Sequence, residues 1–372
     1  MELFLKTTID PARDIIFFDE IQECPEALTS LKYFQEENQE QAVCCAGSYL
    51  GLLGSDSSFP VGKVTTLHLY PLDYLEFLRA WHPELAAHLD SFLEKPSPLP
   101  KLVHQQLWEV LLIFFVAGGM PEVVAAILDA RTLDEKVRMR IADLHKDLLI
   151  GYKSDFAKHA GKANAQRVNS VFDQVPFQLS KNIDGTAQRF RFKDVLPRAT
   201  RYRDLHGAIS WLTNTGLIYP CHLLEHALLP LNAYKKENLV KLYLFDIGLL
   251  HHTLGLNAAE VLLQSYGTYK GYVAENYTAT QLTSSGAESL FTWKGGVSEI
   301  EFLLQIDNSI IPVEVKSGFR TKRSKSLNAF IEKYNPPLAV KVSGRNFSFQ
   351  DRTLHIPLYA AGKIPEIIKR LA

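Results

Sequence analysis

A chain of 372 residues is long enough for about two or three domains of ordinary size, and 47% hydrophobic with 22% charged residues is a globular balance with ample core material. The 40 Lys+Arg and 41 Asp+Glu leave a formal net charge of −1, which excludes a wholesale polyelectrolyte binder; nucleic acid would have to meet a local basic patch. No run of about 18 uninterrupted apolar residues predicts a membrane span, the charged start Met1-Glu2-Leu3-Phe4-Leu5-Lys6 does not fit a signal peptide, and Cys24, Cys44, Cys45 and Cys221 lack metal-ligand spacing and suit reduced thiols in a cytoplasmic protein.

The first predicted element is a strand over Ile15-Ile16-Phe17-Phe18. Four large apolar residues in a row read as a strand buried on both faces, as in a parallel sheet. Asp19 and Glu20 stand at its carboxyl end, the side on which open α/β sheets bind ligands. An aspartate placed for Mg2+ and then a glutamate able to orient water is the Walker B pattern. An acidic turn before a helix with Pro25 in its first turn is the plainer reading of the same residues. That helix spans Pro25–Glu37, with Ala27, Leu28, Leu31 and Phe34 at helical spacing. A second apolar run, 41–47, ends in a turn tipped by Ser48. Ser48 suits either a nucleotide γ-phosphate or the N-cap of a short helix over 50–53. A third strand is expected over 63–69 and a helix up to Trp81. The prolines at 83, 96, 98 and 100 make 82–101 read as a linker.

Residues 102–160 read as helices, broken sharply at Gly118-Gly119-Met120-Pro121. From 161 to 256 the pattern is helical, with a helix over 201–215, and then two strands, 217–224 and 239–244. This is the order of a winged helix, a fold whose helix often enters a DNA groove. Arg189, Arg191, Lys193, Arg198, Arg201 and Arg203 form a dense basic cluster suited either to DNA phosphates or to a solvated face.

The last stretch, 257–372, alternates helix and strand. A helix over 271–282 carries Glu275, and strands are expected at 289–293, 299–304 and 310–316, then a helix over 324–334 and a strand at 338–342. Alternation puts Glu299 with Glu301 on one face, and Glu314 with Lys316 on one face. An acidic residue followed by Glu-x-Lys on the next strand is the layout of the PD-(D/E)xK nuclease core. There two carboxylates, here Glu301 and Glu314, hold Mg2+ and the lysine orients the attacking water, with Glu275 as a further oxygen ligand. Cross-strand pairing of Lys316 with Glu301 or Glu314 is the plainer reading. Glu301, one methylene longer than the usual aspartate, argues against cleavage.

Taken together, Asp19-Glu20-Ile21-Gln22-Glu23-Cys24-Pro25, Ala46-Gly47-Ser48, Leu69-Tyr70-Pro71-Leu72, Gly118-Gly119-Met120-Pro121-Glu122, the stretch from Lys241 through Tyr243 and Asp246 to Gly248-Leu249, and Pro312-Val313-Glu314-Val315-Lys316-Ser317 resemble a widespread prokaryotic family of AAA-type ATPases. The resemblance implies a fold of α/β class: a partial P-loop ATPase parallel sheet over 1–81, the linker 82–101, a helical region 102–160, a winged-helix-like domain 161–256 and a small α/β nuclease-like domain 257–372. It also implies Mg2+ and ATP as cofactors, with Asp19 at the metal, Glu20 as the water-orienting base and Ser48 as the γ-phosphate sensor, in a cytoplasmic protein that forms homo-oligomers and contacts DNA but no membrane. No G-x-x-x-x-G-K-[ST] occurs in the 372 residues. The chain is therefore expected to begin inside the ATPase domain, to bind nucleotide weakly if at all, and to have its least stable part in the first 80 residues.

Overall fold

The computed structural model describes residues 6–48, 62–179, 189–197, 201–319 and 324–371. The chain divides into two compact units, Met1–Leu69 and Tyr70–Ala372. The chain is mixed α/β, with a parallel sheet at the N-terminus, a helical middle and a C-terminal sheet.

In the first unit β1 (Ile15–Phe18) and β2 (Ala42–Cys45) pair in parallel through the crossover helix α1 (Pro25–Glu37). Ile21, Leu28 and Leu31 form its core, with Phe18, Val43 and Val64 packed against them. One helix covers one face only. Ile15 and Phe17 accordingly remain 59% and 60% exposed, which corrects the expectation of a strand buried on both sides. The third strand expected over 63–69 does not form either: among the described residues that stretch joins no sheet, and Leu67 and Leu69 lie open to solvent. A strand needs a neighbouring ladder, and β1 and β2 make a sheet of two among the described residues.

The second unit opens with α2 (Tyr74–Trp81), whose start is fixed by a reciprocal capping box between Asp73 and Glu76. The expected linker is largely a helix, α3 (Pro83–Glu94). Pro83 sits in its first turn, where the missing N–H costs nothing, and the other three prolines follow its end. Then come α4 (Lys101–Ala117), α5 (Pro121–Ala130), α6 (Glu135–His159), α7 (Lys162–Gln178) and α8 (Tyr202–Asn214).

Next are β3 (Ile218–Leu224), β4 (Val240–Leu244), α9 (Ile247–Thr253), α10 (Ala258–Leu262) and α11 (Tyr269–Ser284). They lead into β5 (Leu290–Gly295), β6 (Ser298–Ile306), β7 (Ser309–Val315), α12 (Lys325–Tyr334), β8 (Ala339–Ser343), β9 (Ser348–Gln350), β10 (Thr353–Pro357) and α13 (Ile364–Leu371). Eight strands form one sheet in the order β4-β3-β5-β6-β7-β8-β10-β9. The antiparallel hairpin β3–β4 is thus not a free-standing wing: β3 pairs in parallel with β5 and continues the C-terminal sheet.

Three sequence motifs more than 40 residues apart meet at one backbone junction. Leu72 N–H donates to Gly119 O at 2.8 Å, Gly119 N–H to Asp246 Oδ2 at 2.7 Å, and Leu249 N–H to Asp246 Oδ1 at 2.8 Å. A side chain at Gly118 (φ +71°) would collide with the Asp246 carboxylate, and one at Gly248 would reach within 2.5 Å of Ala117 O. Glycine is required there by close approach. Among the described residues no helix is long and apolar enough to cross a membrane, and the four cysteines are free.

Candidate functional site

Two groups of predicted residues gain a geometry. In the first unit, parallel pairing puts the ends of β1 and β2 side by side, and Ala46 N–H to Phe18 O (2.8 Å) and Ile21 N–H to Ala46 O (3.0 Å) lock them there. Asp19 and Glu20 therefore lie beside the Ala46–Ser48 turn, all three polar side chains exposed. Ser48 Oγ donates to Glu20 at 3.2 Å (Oε1), and Gln22 Nε2 donates to the same carboxylate. Glu20 holds a left-handed backbone (φ 47°), uncommon for a residue with a side chain. The helix for which Ser48 would be the N-cap falls outside the described residues.

In the second unit the helix α11 is buried over its whole middle, from Val273 to Leu282. Its polar side chains are therefore obliged to find partners inside. Asn276 accepts from Leu244 N–H and donates to Leu244 O, both at 2.8 Å, and Gln281 accepts from Tyr74 N–H at 3.0 Å. Glu275 receives the hydroxyl of Tyr243 and the ammonium of Lys241 (2.6 Å) from β4. The same Lys241 Nζ lies 2.5 Å from Glu299 Oε1 on β6.

Beside this group, Lys316 Nζ stands 3.4 Å from Glu301 Oε1 and 3.3 Å from Glu314 Oε1. Glu301 also accepts from Val315 N–H at 3.2 Å, while Glu314 Oε2 is buried with no hydrogen-bond partner. Burial pushes the Glu301 carboxyl up to about 7; Lys316 pulls it down, and Glu275 and Glu314 push the same way as burial. For Lys241 burial favours the neutral amine, but Glu275 and Glu299 outweigh it and hold the ammonium. Lys316 reaches the wall of an open cavity of about 460 Å3, also lined by Gln264, Lys270 and Phe319. Among the described residues no group of three or more His, Cys, Asp or Glu is placed to hold a metal ion.

The structure thus brings Glu275, Glu301, Glu314 and Lys316 together, and separately Asp19, Glu20 and Ser48. Of the basic cluster, Arg189, Lys193, Arg201 and Arg203 are exposed, Arg203 lies 3.8 Å from Asp204, and Arg191 is half-buried with its backbone bonded to Gln178. Arg198 lies outside the described residues. Lys241 and Tyr243 were legible as part of a motif, but not as partners of Glu275. The available signal was a lysine inside the apolar run of β4, every residue of which is buried.

Residues 1–78 match a family model described as an AAA domain. Further on, residues 109–260 match a domain of unknown function, DUF8612, and residues 270–360 another, DUF4143. No curated protein and no solved structure matches the chain. The N-terminal stretch is accordingly AAA-like, and an AAA-type ATPase-like protein is the coarse class that this supports.

Proposed function

We propose that the first unit carries the Walker B half of a nucleotide site, with Asp19 for Mg2+, Glu20 to orient a water and Ser48 for the γ-phosphate. The observation that carries this reading is the 3.2 Å contact of Ser48 Oγ with Glu20 at the carboxyl ends of two adjacent parallel strands. Mg2+ supplies charge neutralisation on the phosphates when bound, and an exposed carboxylate pair fits such an ion better than an apolar strand end would. A phosphate cradle of backbone N–H groups with its lysine has no counterpart in the 372 residues, so the affinity for ATP is low. Thermal unfolding with and without Mg2+-ATP tests this. A ligand at 100 times its Kd adds about 2.7 kcal/mol to native-state stability. The expected result is no shift at micromolar ATP and a shift at millimolar ATP that Asp19→Ala removes. A shift of equal size in Asp19→Ala would refute the assignment.

A second reading has its own observation. The order α11-β5-β6-β7-α12-β8, with Glu301 and Glu314 on neighbouring strands and Lys316 beside them, supports a nuclease-like core. With Lys316 closing on both carboxylates, this core contacts DNA without cutting it. Binding to duplex DNA in the absence of nucleotide should weaken steeply with salt and fall when Arg189, Lys193 and Arg201 are replaced together. Mg2+-dependent cleavage abolished by Lys316→Ala would overturn the inert part of this reading. The cytoplasm and self-association are part of the same proposal.

A further inference from the structure

Four carboxylates and two lysines serve one buried region of the second unit, and the lysines divide the work. Lys316 directly follows β7, the strand that carries Glu314, and is partly open to the adjoining cavity. Lys241 is different. It arrives from β4, at the edge of the eight-stranded sheet, and its side chain is only 2% exposed. Its Nζ takes one oxygen from Glu275 on α11 at 2.6 Å and one from Glu299 on β6 at 2.5 Å, and the Tyr243 hydroxyl orients Glu275 from the same strand as the lysine. Glu301, in turn, is raised by Glu275 and lowered by Lys241, so the two halves of the region share one field.

A lone buried ammonium is costly, and it persists only where anions surround it. Oxygens contributed by separate elements and converging on one cation are also what a hard divalent ion requires. We propose that the Lys241 ammonium is a tethered substitute for a divalent cation. It fills the position between Glu275 and Glu299 and supplies the positive charge there, so that this pocket needs no metal in the native chain. Removal of the ammonium leaves two carboxylates, a tyrosine hydroxyl and space for water, a donor set suited to Mn2+ or Mg2+. The inference is independent of the ATP reading and holds whether or not the core touches DNA.

The test is Lys241→Ala in the full 372-residue chain, followed by thermal unfolding and calorimetric titration with Mn2+ and no nucleotide. Parallel runs in the Asp19→Ala background separate any metal held in the first unit. The native chain should show no change in midpoint with millimolar Mn2+. Lys241→Ala should unfold earlier, recover with Mn2+, and take up the ion at least about tenfold more tightly than the native chain. That gain should disappear in the double variant with Glu275→Gln. If Lys241→Ala does not fold alone, refolding in Mn2+ reads the same replacement. Failure of Mn2+ to bind or restore the variant, folded or not, overturns the proposal. So does equally tight uptake by the native chain in the Asp19→Ala background.

Discussion

Asp246 is a fully buried carboxylate whose two oxygens accept backbone N–H groups from α9 and from the turn after α4. Burial raises its pKa, and the N–H donors of Gly119, Leu249 and Gly248 oppose that shift. Removing the acceptor would leave these donors dry, and hydrogen bonds to a charged group contribute about 1.5–3 kcal/mol each. Asp246→Ala should therefore destabilise the second unit by about 3–5 kcal/mol in urea unfolding. His145 and His251 lie close by, and burial lowers each to about 4. With an unfolded value near 6.5, the stability that these neutral imidazoles contribute is complete above about pH 6.5 and lost as pH falls through about 4. The loss should reach about 3 kcal/mol per imidazole, and His251→Phe should flatten the pH profile of the unfolding midpoint over that window. The sequence showed the Gly118-Gly119 and Asp246–Gly248 motifs but not their meeting. A contact across 127 residues leaves no periodicity to read.

At the scale of elements the sequence was most legible where apolar spacing was strong. The helix expected over Pro25–Glu37 is α1 with the same ends, the strand around Glu301 extends the expected one by one or two residues at each end, and the strand around Glu314 begins and ends one residue earlier than expected, leaving Lys316 just beyond it. Reading failed where an element depends on a neighbour. Residues 63–69 have strand-forming composition but no ladder to join among the described residues, and α3 hid behind prolines that open it or follow its end. The parallel seam of β3 with β5 was invisible because nothing local distinguishes a wing from the rim of a larger sheet. One side chain guards that rim: Asn276 pairs both backbone groups of Leu244 near the end of β4. Asn276→Leu keeps the volume and loses both bonds, so it should cost about 2–3 kcal/mol and raise amide exchange at Leu244 before it affects β7.

For the whole molecule the contrast lies between two cores. Among the described residues the first unit rests on Ile21, Leu28 and Leu31 with a two-stranded sheet, whereas the second buries rows of aromatic residues such as Trp293, Tyr277, Phe302 and Phe330. Burial contributes about 25 cal/mol per Å2 of apolar surface, so the small core is the weaker one. Amides of Ile15–Phe18 and Ala42–Cys45 should exchange at least about 100-fold faster than those of β6 and β7. Equal protection in the two sets would contradict this. Sequence reasoning derives this expectation from the missing phosphate loop, and the exposure of Ile15 and Phe17 is a separate ground for it.

The continuous sheet has a consequence for how this protein can be divided. The stretch matching the last family model begins at residue 270, downstream of β3 and β4. A piece inherited or expressed from there would carry β5 with a bare flank and would leave Glu275 and Glu299 without their lysine. Modularity in the sequence and modularity in the fold therefore do not coincide. The smallest portable unit is the C-terminal sheet together with the hairpin before it, and a break between them would yield a fragment that is both adhesive along one edge and overcharged inside.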